Sequence, residues 1–404
     1  MLKKRGQLIA LSIGNALEFY DFAIYGFLIS VLSKLFFPPY DLRVQLILST
    51  TVFTIGFIAR PIGGLIFGYI GDHYGRKKSL EYSIIAMGVF TCCIGILPTY
   101  AQVGVLAPVL LSCLRVMQGV IIGGEFTTSI VYLSEHELFR SRPILYIAIN
   151  SSLGVSGWFL GILVVYFCEQ YFVSDLSWRV PFFLGGFLSV VGIYIRKKFK
   201  EDTAVSFSIT SNINSSLNIS KGDVRNLFII ALVAAVTCSV FYGQFIYQNV
   251  YLVSVLKLQK SMAKIATGGG IFSYMVFLPI MGYIASKVCY IKMVRLFTVL
   301  LCLLNYLVFN LIDSGHFIYI FLSMQLSAFL LAGFFAPASY FMTKLFATER
   351  RCTNVSIAYN VGGSVLGGSV PTLYILYTEY FGTEYLFVYL STLSVVLLIL
   401  IRSR

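Results

Sequence analysis

The sequence has little charge and very little tryptophan or histidine. Charged residues make up 12% of its 404 positions, whereas hydrophobic residues make up 58%. A soluble domain typically carries about 25% charged and about 45–50% apolar residues. A soluble protein with so little charge could not cover its surface with polar groups, and disordered chains and coiled coils carry more charge still. Most of this chain must therefore lie in lipid.

The sequence also lacks the patterns of several catalytic and binding sites. Its three histidines are scattered, its eight cysteines include no CxxC pair, and it contains no HExxH motif. No glycine-rich loop ends in Gly-Lys-Ser/Thr, which excludes an ATP-driven pump. We therefore expect no enzyme activity, no metal and no cofactor, and we expect the cysteines to be reduced.

The apolar runs predict an all-α polytopic membrane protein with twelve transmembrane helices. Each run approaches or exceeds the roughly 20 residues that cross a bilayer as a helix and is far longer than a barrel strand. The predicted spans are 8–37, 44–71, 79–98, 103–134, 144–173, 180–196, 226–256, 264–287, 292–312, 315–344, 353–378 and 381–401.

The longest polar interruption divides these spans into six and six. It is rich in serine and asparagine and predicts an N-terminal bundle at 1–196, a cytoplasmic linker at 197–225 and a C-terminal bundle at 226–404. An internal repeat supports two pseudo-symmetric halves. GYIGDHYGRKK begins at Gly68 and GYIASKVCYIK begins at Gly282, each at the end of the second span of its half.

The basic residues predict the orientation. Two lie within spans, and six lie on the side opposite to the termini: Lys34, Arg43, Arg179, Lys257, Lys260 and Lys264. The other 22 of the 30 lie on the side of the termini. Because loops rich in Lys and Arg stay in the cytoplasm, we expect both termini to be cytoplasmic. This orientation explains the net charge of +13 without a nucleic-acid partner.

Ionisable groups inside predicted spans are the candidate functional residues, since each costs roughly 2.5–3.5 kcal/mol to insert near the bilayer centre. Glu18, Asp21 and Tyr25 share one face of span 1, and Arg115 and Gln118 share one face of span 4 at a similar depth. A buried carboxyl group facing an arginine predicts either a proton-coupled substrate site or a fixed ion pair that holds the two spans together.

Two further sets of residues are weaker candidates. Arg60 and Glu125 lie nearer the cytoplasmic side, where an interhelical lock or inside gate is the favoured interpretation. In the second half, five polar or aromatic residues predict either a cavity lining or contacts between helices: Tyr242, Gln244, Gln248, Tyr359 and Asn360.

Five segments carry a resemblance to a known family: GNALEFYDFAIYGF (14–27), RPIGG (60–64), GDHYGRKK (71–78), RVMQGVIIGGE (115–125) and SWRVPFF (177–183). Together they resemble the major facilitator superfamily, and within it the metabolite:proton symporters, which include proline/betaine, 2-oxoglutarate, citrate and shikimate transporters. The superfamily's loop motif, which helps to lock the inside face, is similar to Gly68, Asp72, Gly75, Arg76 and Lys77. In the second copy Ser286 stands where the family has Asp.

The resemblance implies rocker-switch alternating access between the two halves. It implies that Asp21, together with Glu18, carries a proton and that Arg115 neutralises an acidic substrate group or switches Asp21. The partners would be a small carboxylated metabolite or zwitterion, a proton and the lipid bilayer, with the proton gradient as energy source and a monomer in the bacterial inner membrane. An uncoupled facilitator or exchanger of the same fold is the alternative, and a non-transporting membrane sensor is disfavoured.

Overall fold

The computed structural model describes residues 2–39, 41–63, 66, 76–123, 125–172, 176–198, 221–380 and 386–402. These residues form a helical chain whose membrane-length helices we number α1 to α12. The bounds are α1 (Leu2–Phe36), α2 (Leu42–Ile58), α3 (Arg76–Ile96), α4 (Leu106–Ile122, continued by Glu125–Glu135), α5 (Pro143–Tyr171), α6 (Leu176–Lys198), α7 (Lys221–Phe241, Tyr242–Tyr247 and Gln248–Ser254), α8 (Lys260–Ala285), α9 (Tyr290–Asp313), α10 (Phe317–Thr343), α11 (Thr348–Val361, Gly362–Gly367 and Val370–Tyr380) and α12 (Leu386–Arg402).

The twelve predicted spans are confirmed. A backbone in lipid has no water to hydrogen-bond its N–H and C=O groups. Each apolar run therefore forms a helix, in which these groups bond to one another. Nine of the helices in the described ranges are long and apolar enough to cross a membrane, while α3 and α12 contain shorter apolar stretches and α11 begins with a polar turn. Helices α6 and α7 extend into both ends of the predicted linker, and residues 199–220 lie outside the described part. All eight cysteines are free.

Two helices of the second half contain a π-helical segment, which the sequence did not predict. The segments are Tyr242–Tyr247 in α7 and Gly362–Gly367 in α11, and α7 packs against the second of them. Such segments are rare and occur often at functional sites, because they widen the helix and release backbone groups. The carbonyl of Leu366 accepts hydrogen bonds from the hydroxyls of Ser239 and Tyr389, at 3.3 and 2.6 Å.

The halves meet along α5 with α8 and along α2 with α11. Near the middle of the membrane the interface is aromatic: the Trp158 ring lies 5.0 Å from that of Phe241, and the Phe57 ring lies 4.8 Å from that of Tyr242. These rings are buried, and they pack against one another where the two bundles face each other.

Within the first half, helices approach closely at glycines. A Cβ atom at Gly157 of α5 would lie 1.9 Å from the carbonyl oxygen of Ala16 in α1, and one at Gly119 of α4 would lie 1.9 Å from the carbonyl oxygen of Gly56 in α2. Lipid tails are as apolar as the helix surfaces, so this close packing replaces the hydrophobic drive of a soluble core. The two contacts fix α4 against α2 and α5 against α1.

We expect Gly157→Ala to lower the thermal midpoint of unfolding in detergent, because the new methyl group forces two backbones apart; overpacking of this kind costs about 1–3 kcal/mol. Gly268→Ala is the matched control, since a Cβ atom there meets only the Ile162 side chain, at an ordinary 3.5 Å. Equal midpoints for the two variants would contradict the assignment of this contact.

Candidate functional site

A buried ion pair lies between α1 and the residues that continue the second span past α2 as far as Gly63. The Nη2 atom of Arg60 lies 3.8 Å from Oε1 of Glu18, and both side chains are buried. The guanidinium also lies over the rings of Phe22 and Phe57, with its Cζ atom 4.6 and 4.3 Å from their centroids. At 3.8 Å the pair is longer than a hydrogen bond, so it leaves room for other partners. Sequence analysis named Arg60 and Glu125 as a candidate lock or gate; among the described residues, the acid at ion-pair distance from Arg60 is Glu18.

This ion pair lines a cavity between the two halves. Its volume is about 40 Å³. In this conformation the cavity therefore has room for a few water molecules. The lining residues are Glu18, Phe19, Arg60, Ile122, Phe126, Thr127, Cys238, Tyr242, Tyr359, Asn360, Gly363 and Ser364.

Asp21 and Arg115 are both fully enclosed, but they are not among the described residues that line this cavity. A polar chain connects them instead. Arg115 Nη1 donates to Oε1 of Gln118 at 2.8 Å, and Gln118 Nε2 donates to Oγ1 of Thr91 at 2.8 Å. The Thr91 side chain in turn lies beside the Asp21 carboxyl group, since a Cβ atom at Gly185 would lie 2.9 Å from Thr91 Cγ2 and 3.0 Å from Asp21 Oδ1. The expected direct pair is thus replaced by a relay through α3.

Each end of this relay has unused hydrogen-bonding capacity. In the described part of the chain, Asp21 Oδ1 and the Nε and Nη2 atoms of Arg115 have no hydrogen-bond partner. The Arg115 Cζ atom lies 3.9 Å from the ring centroid of Tyr25, whose hydroxyl donates to the Ser49 carbonyl at 3.1 Å. Tyr25 therefore holds the guanidinium by its ring face. Buried polar atoms without partners are unusual and are a common feature of sites that change during function.

The candidates of the second half divide into those that line the cavity and those that do not. Of the second-half residues, Tyr242, Tyr359 and Asn360 line the cavity, and Asn360 Nδ2 also donates to the Gly123 carbonyl of α4 at 2.8 Å. Gln244 and Gln248 are buried outside it, and among the described residues their amide groups have no hydrogen-bond partner.

Glu125 begins the second segment of α4 and lines a smaller pocket that also contains Glu18. Gly68, Asp72 and Gly75 of the loop motif lie outside the described residues. Arg76 and Lys77 begin α3. The second copy of the motif covers the end of α8 and the start of α9.

Sequence reasoning missed the ion pairs that join the two halves. Lys264 of α8 bonds to Glu169 of α5, and Arg351 of α11 bonds to Glu135 of α4. The first pair lies on the side of the membrane where α5 ends, and the second lies on the side where α4 ends, so they close opposite ends of the interface. All four residues lie near helix ends, where charge is ordinary, so nothing in the sequence marks them.

The arrangement brings together the parts that a carrier needs. It has an interface between two bundles, a cavity with one acid and one base among its described lining residues, and separable contacts at both ends of that interface. Charged groups buried inside a membrane protein mark substrate and ion pathways. None of the described His, Cys, Asp and Glu residues form a group that could hold a metal ion.

Comparisons with known proteins agree with this geometry. Residues 7–204 match the family model described as sugar (and other) transporter. The chain is 30% identical over 382 residues to a putative proline/betaine transporter of Staphylococcus aureus (strain COL), which covers 91% of this chain and 81% of the relative. It is 29% identical over 388 residues to the proline/betaine transporter of Escherichia coli (strain K12), which covers 92% of this chain and 77% of the relative.

Solved structures show the same fold. A D-xylose–proton symporter superposes with a TM-score of 0.75 at 14% identity, covering 98% of this chain and 96% of the other. The xylose transporter XylE from E. coli, in a partially occluded inward-open conformation, gives a TM-score of 0.74 at 15% identity. The superposition covers 100% of this chain and 98% of the other. The chain is therefore a multi-pass membrane transporter that belongs to the major facilitator superfamily and, within it, to the family of its proline/betaine transporter relatives.

Proposed function

We propose that this transporter takes up a small zwitterion together with a proton, by rocker-switch alternating access between residues 1–196 and 226–404. The main support for this proposal is the cavity between the halves, where Glu18 and Arg60 lie 3.8 Å apart among aromatic rings. The proposed orientation places both termini in the cytoplasm of a bacterial cell, on the evidence of the basic loops.

The charges in the cavity favour a zwitterion over a dicarboxylate. A carboxylate inserted beside Arg60 and a cationic nitrogen inserted beside Glu18 would each find a counter-charge, so no charge would be buried unpaired. The aromatic lining of Phe19, Tyr242 and Tyr359 suits the apolar and cationic parts of the same molecule. A dicarboxylate brings two negative charges to a lining with one base. The names of the relatives, proline/betaine transporters, agree with a zwitterion.

Asp21 is the proposed proton carrier. It is buried in the first half, has an oxygen without a hydrogen-bond partner among the described residues, and lies beside Thr91, which accepts from the Gln118 side chain that holds Arg115. Neutralising the Asp21 carboxyl group removes an anion from the surroundings of Arg115. Protonation of Asp21 would in this way change the interactions of Arg115 and so the conformation of the first half.

The first test uses proteoliposomes loaded with a pH-sensitive dye. We expect proline or betaine added outside to acidify the lumen, whereas 2-oxoglutarate, citrate, shikimate and a sugar give at most a small signal. Asp21→Asn should abolish the acidification and the accumulation while leaving exchange of labelled substrate. Asp41→Asn is the control, because it removes the same charge from an exposed helix cap that asparagine also fills. Accumulation by Asp21→Asn equal to that of the control would favour the uncoupled facilitator.

A second experiment concerns selectivity. We expect Glu18→Gln to weaken the apparent affinity for a zwitterion at least tenfold, about 1.4 kcal/mol, because the cationic nitrogen loses its counter-charge. A monocarboxylate without a cationic group should not be weakened, since Arg60 remains. Competition against labelled substrate measures both. An equal loss for both compounds would show that Glu18 only supports the fold.

A third experiment tests the relay. Thr91→Val removes the hydroxyl that accepts from Gln118 beside Asp21 and leaves every charge in place, so we expect proton-coupled uptake to fall about tenfold because the buried Gln118 amide loses its partner. Thr91→Ser should restore it. Thr51→Val is the control, because that hydroxyl bonds only the Ile47 carbonyl of its own helix. Uptake by Thr91→Val equal to that of the control would exclude a role for the hydroxyl.

A further inference from the structure

Two cationic side chains flank one tyrosine ring where α8 ends and α5 begins. The Cζ atom of Arg142, the residue before α5, lies 5.4 Å from the ring centroid of Tyr283. The Nζ atom of Lys287, two residues past the end of α8, lies 4.4 Å from the same centroid. The two positive charges are therefore separated by no more than the sum of the two distances to the ring.

In the described part of the chain, these cations have no carboxylate partner. The salt bridges in the described part of the chain belong to Arg60, Lys264 and Arg351, and Arg142 and Lys287 form none there. Both side chains are exposed, as are the nearby Arg140 and Lys292. Like charges this close repel each other, and an anion placed between them relieves the repulsion. The tyrosine ring face offsets part of the repulsion, and its hydroxyl adds a hydrogen-bond donor.

An exposed apolar stripe on α8 leads to this cluster. Val276, Ile280 and Ile284 follow one another at four-residue spacing and are 40%, 46% and 42% exposed, and Tyr283, beside the end of the stripe, is 40% exposed. In a membrane helix such a face contacts acyl chains. A lipid whose chain lies along the stripe would therefore have its headgroup beside the cations. A free phosphate ion would make no use of the stripe.

We propose that Arg142, Tyr283 and Lys287 form a binding site for the phosphate headgroup of an anionic phospholipid. Arginine and lysine side chains at a membrane surface bind such headgroups, and arginine can hold two phosphate oxygens at once. Under the proposed orientation the lipid belongs to the cytoplasmic leaflet. Arg142 belongs to the first half of the chain and Lys287 to the second, so one bound headgroup connects the two halves at this face.

The test measures lipid binding and does not depend on the proposed substrate. Full-length protein in mild detergent is mixed with phosphatidylglycerol, phosphatidylcholine or glycerol 1-phosphate, and bound lipid is counted by native mass spectrometry. We expect at least a tenfold preference for phosphatidylglycerol over phosphatidylcholine. The double variant Arg142→Gln/Lys287→Gln should lose this preference, and Arg142→Lys/Lys287→Arg should keep it.

The control removes the same two charges at the opposite face, where Arg43 and Lys260 are exposed. Arg43→Gln/Lys260→Gln should retain the full preference. If Arg142→Gln/Lys287→Gln retained as much phosphatidylglycerol as this control, the proposed site would be wrong. Displacement of the lipid by an equal concentration of glycerol 1-phosphate would overturn the choice of a lipid, since it would show that the headgroup alone is bound. If the double variant does not fold, each single glutamine variant is expected to lose at least threefold of the preference, and unchanged single variants would also overturn the proposal.

Discussion

Burying charge inside a bilayer is the constraint on which this structure depends. Glu18, Asp21, Arg60 and Arg115 are buried in the first half, and all but Asp21 are held by groups that compensate their loss of water. Glu18 and Arg60 neutralise each other, two phenyl rings cover Arg60, and Tyr25 covers Arg115. These contacts fix the rotation of α1, α2 and α4 about their axes. The close glycine contacts at Gly119 and Gly157 then set the distances between those helices and their neighbours.

The two halves divide the chemistry unequally. Among the described residues that line the cavity, the first half supplies both charged groups, whereas the second half supplies neutral polar and aromatic groups. The second half also contains both π-helical segments described above. The cavity lies where the two kinds of surface meet. Tyr242 belongs to one π-helical segment, and Gly363 and Ser364 belong to the other, so the irregular backbone of the second half faces the ion pair of the first. Irregular backbone at membrane depth is tolerated where protein or a cavity, and not lipid, surrounds it.

Much of the fold was predictable because it follows from local sequence. Apolar runs predict helices in lipid whatever their neighbours are, and a charge within such a run is conspicuous, which is why Glu18, Asp21, Arg60 and Arg115 were identified. Their partners were not, because pairing depends on helix rotation and on contacts between distant segments. Thr91 is one of many hydroxyl residues in apolar runs, and the pair of Glu169 with Lys264 joins helices that are far apart in the sequence. The π-helical segments depend on backbone packing, for which the glycines of α11 are a weak signal.

The pair of Glu18 and Arg60 has a consequence for the energetics of uptake. It leaves the empty cavity with no net charge from its described lining, so the unloaded carrier can change conformation without moving that site's charge through the membrane field. A zwitterion is also electrically neutral. In the proposed cycle, the proton on Asp21 would then be the one charge moved inward per turn. The membrane voltage, worth about 2.3 kcal/mol per 100 mV for each charge, would drive accumulation in addition to the difference in pH.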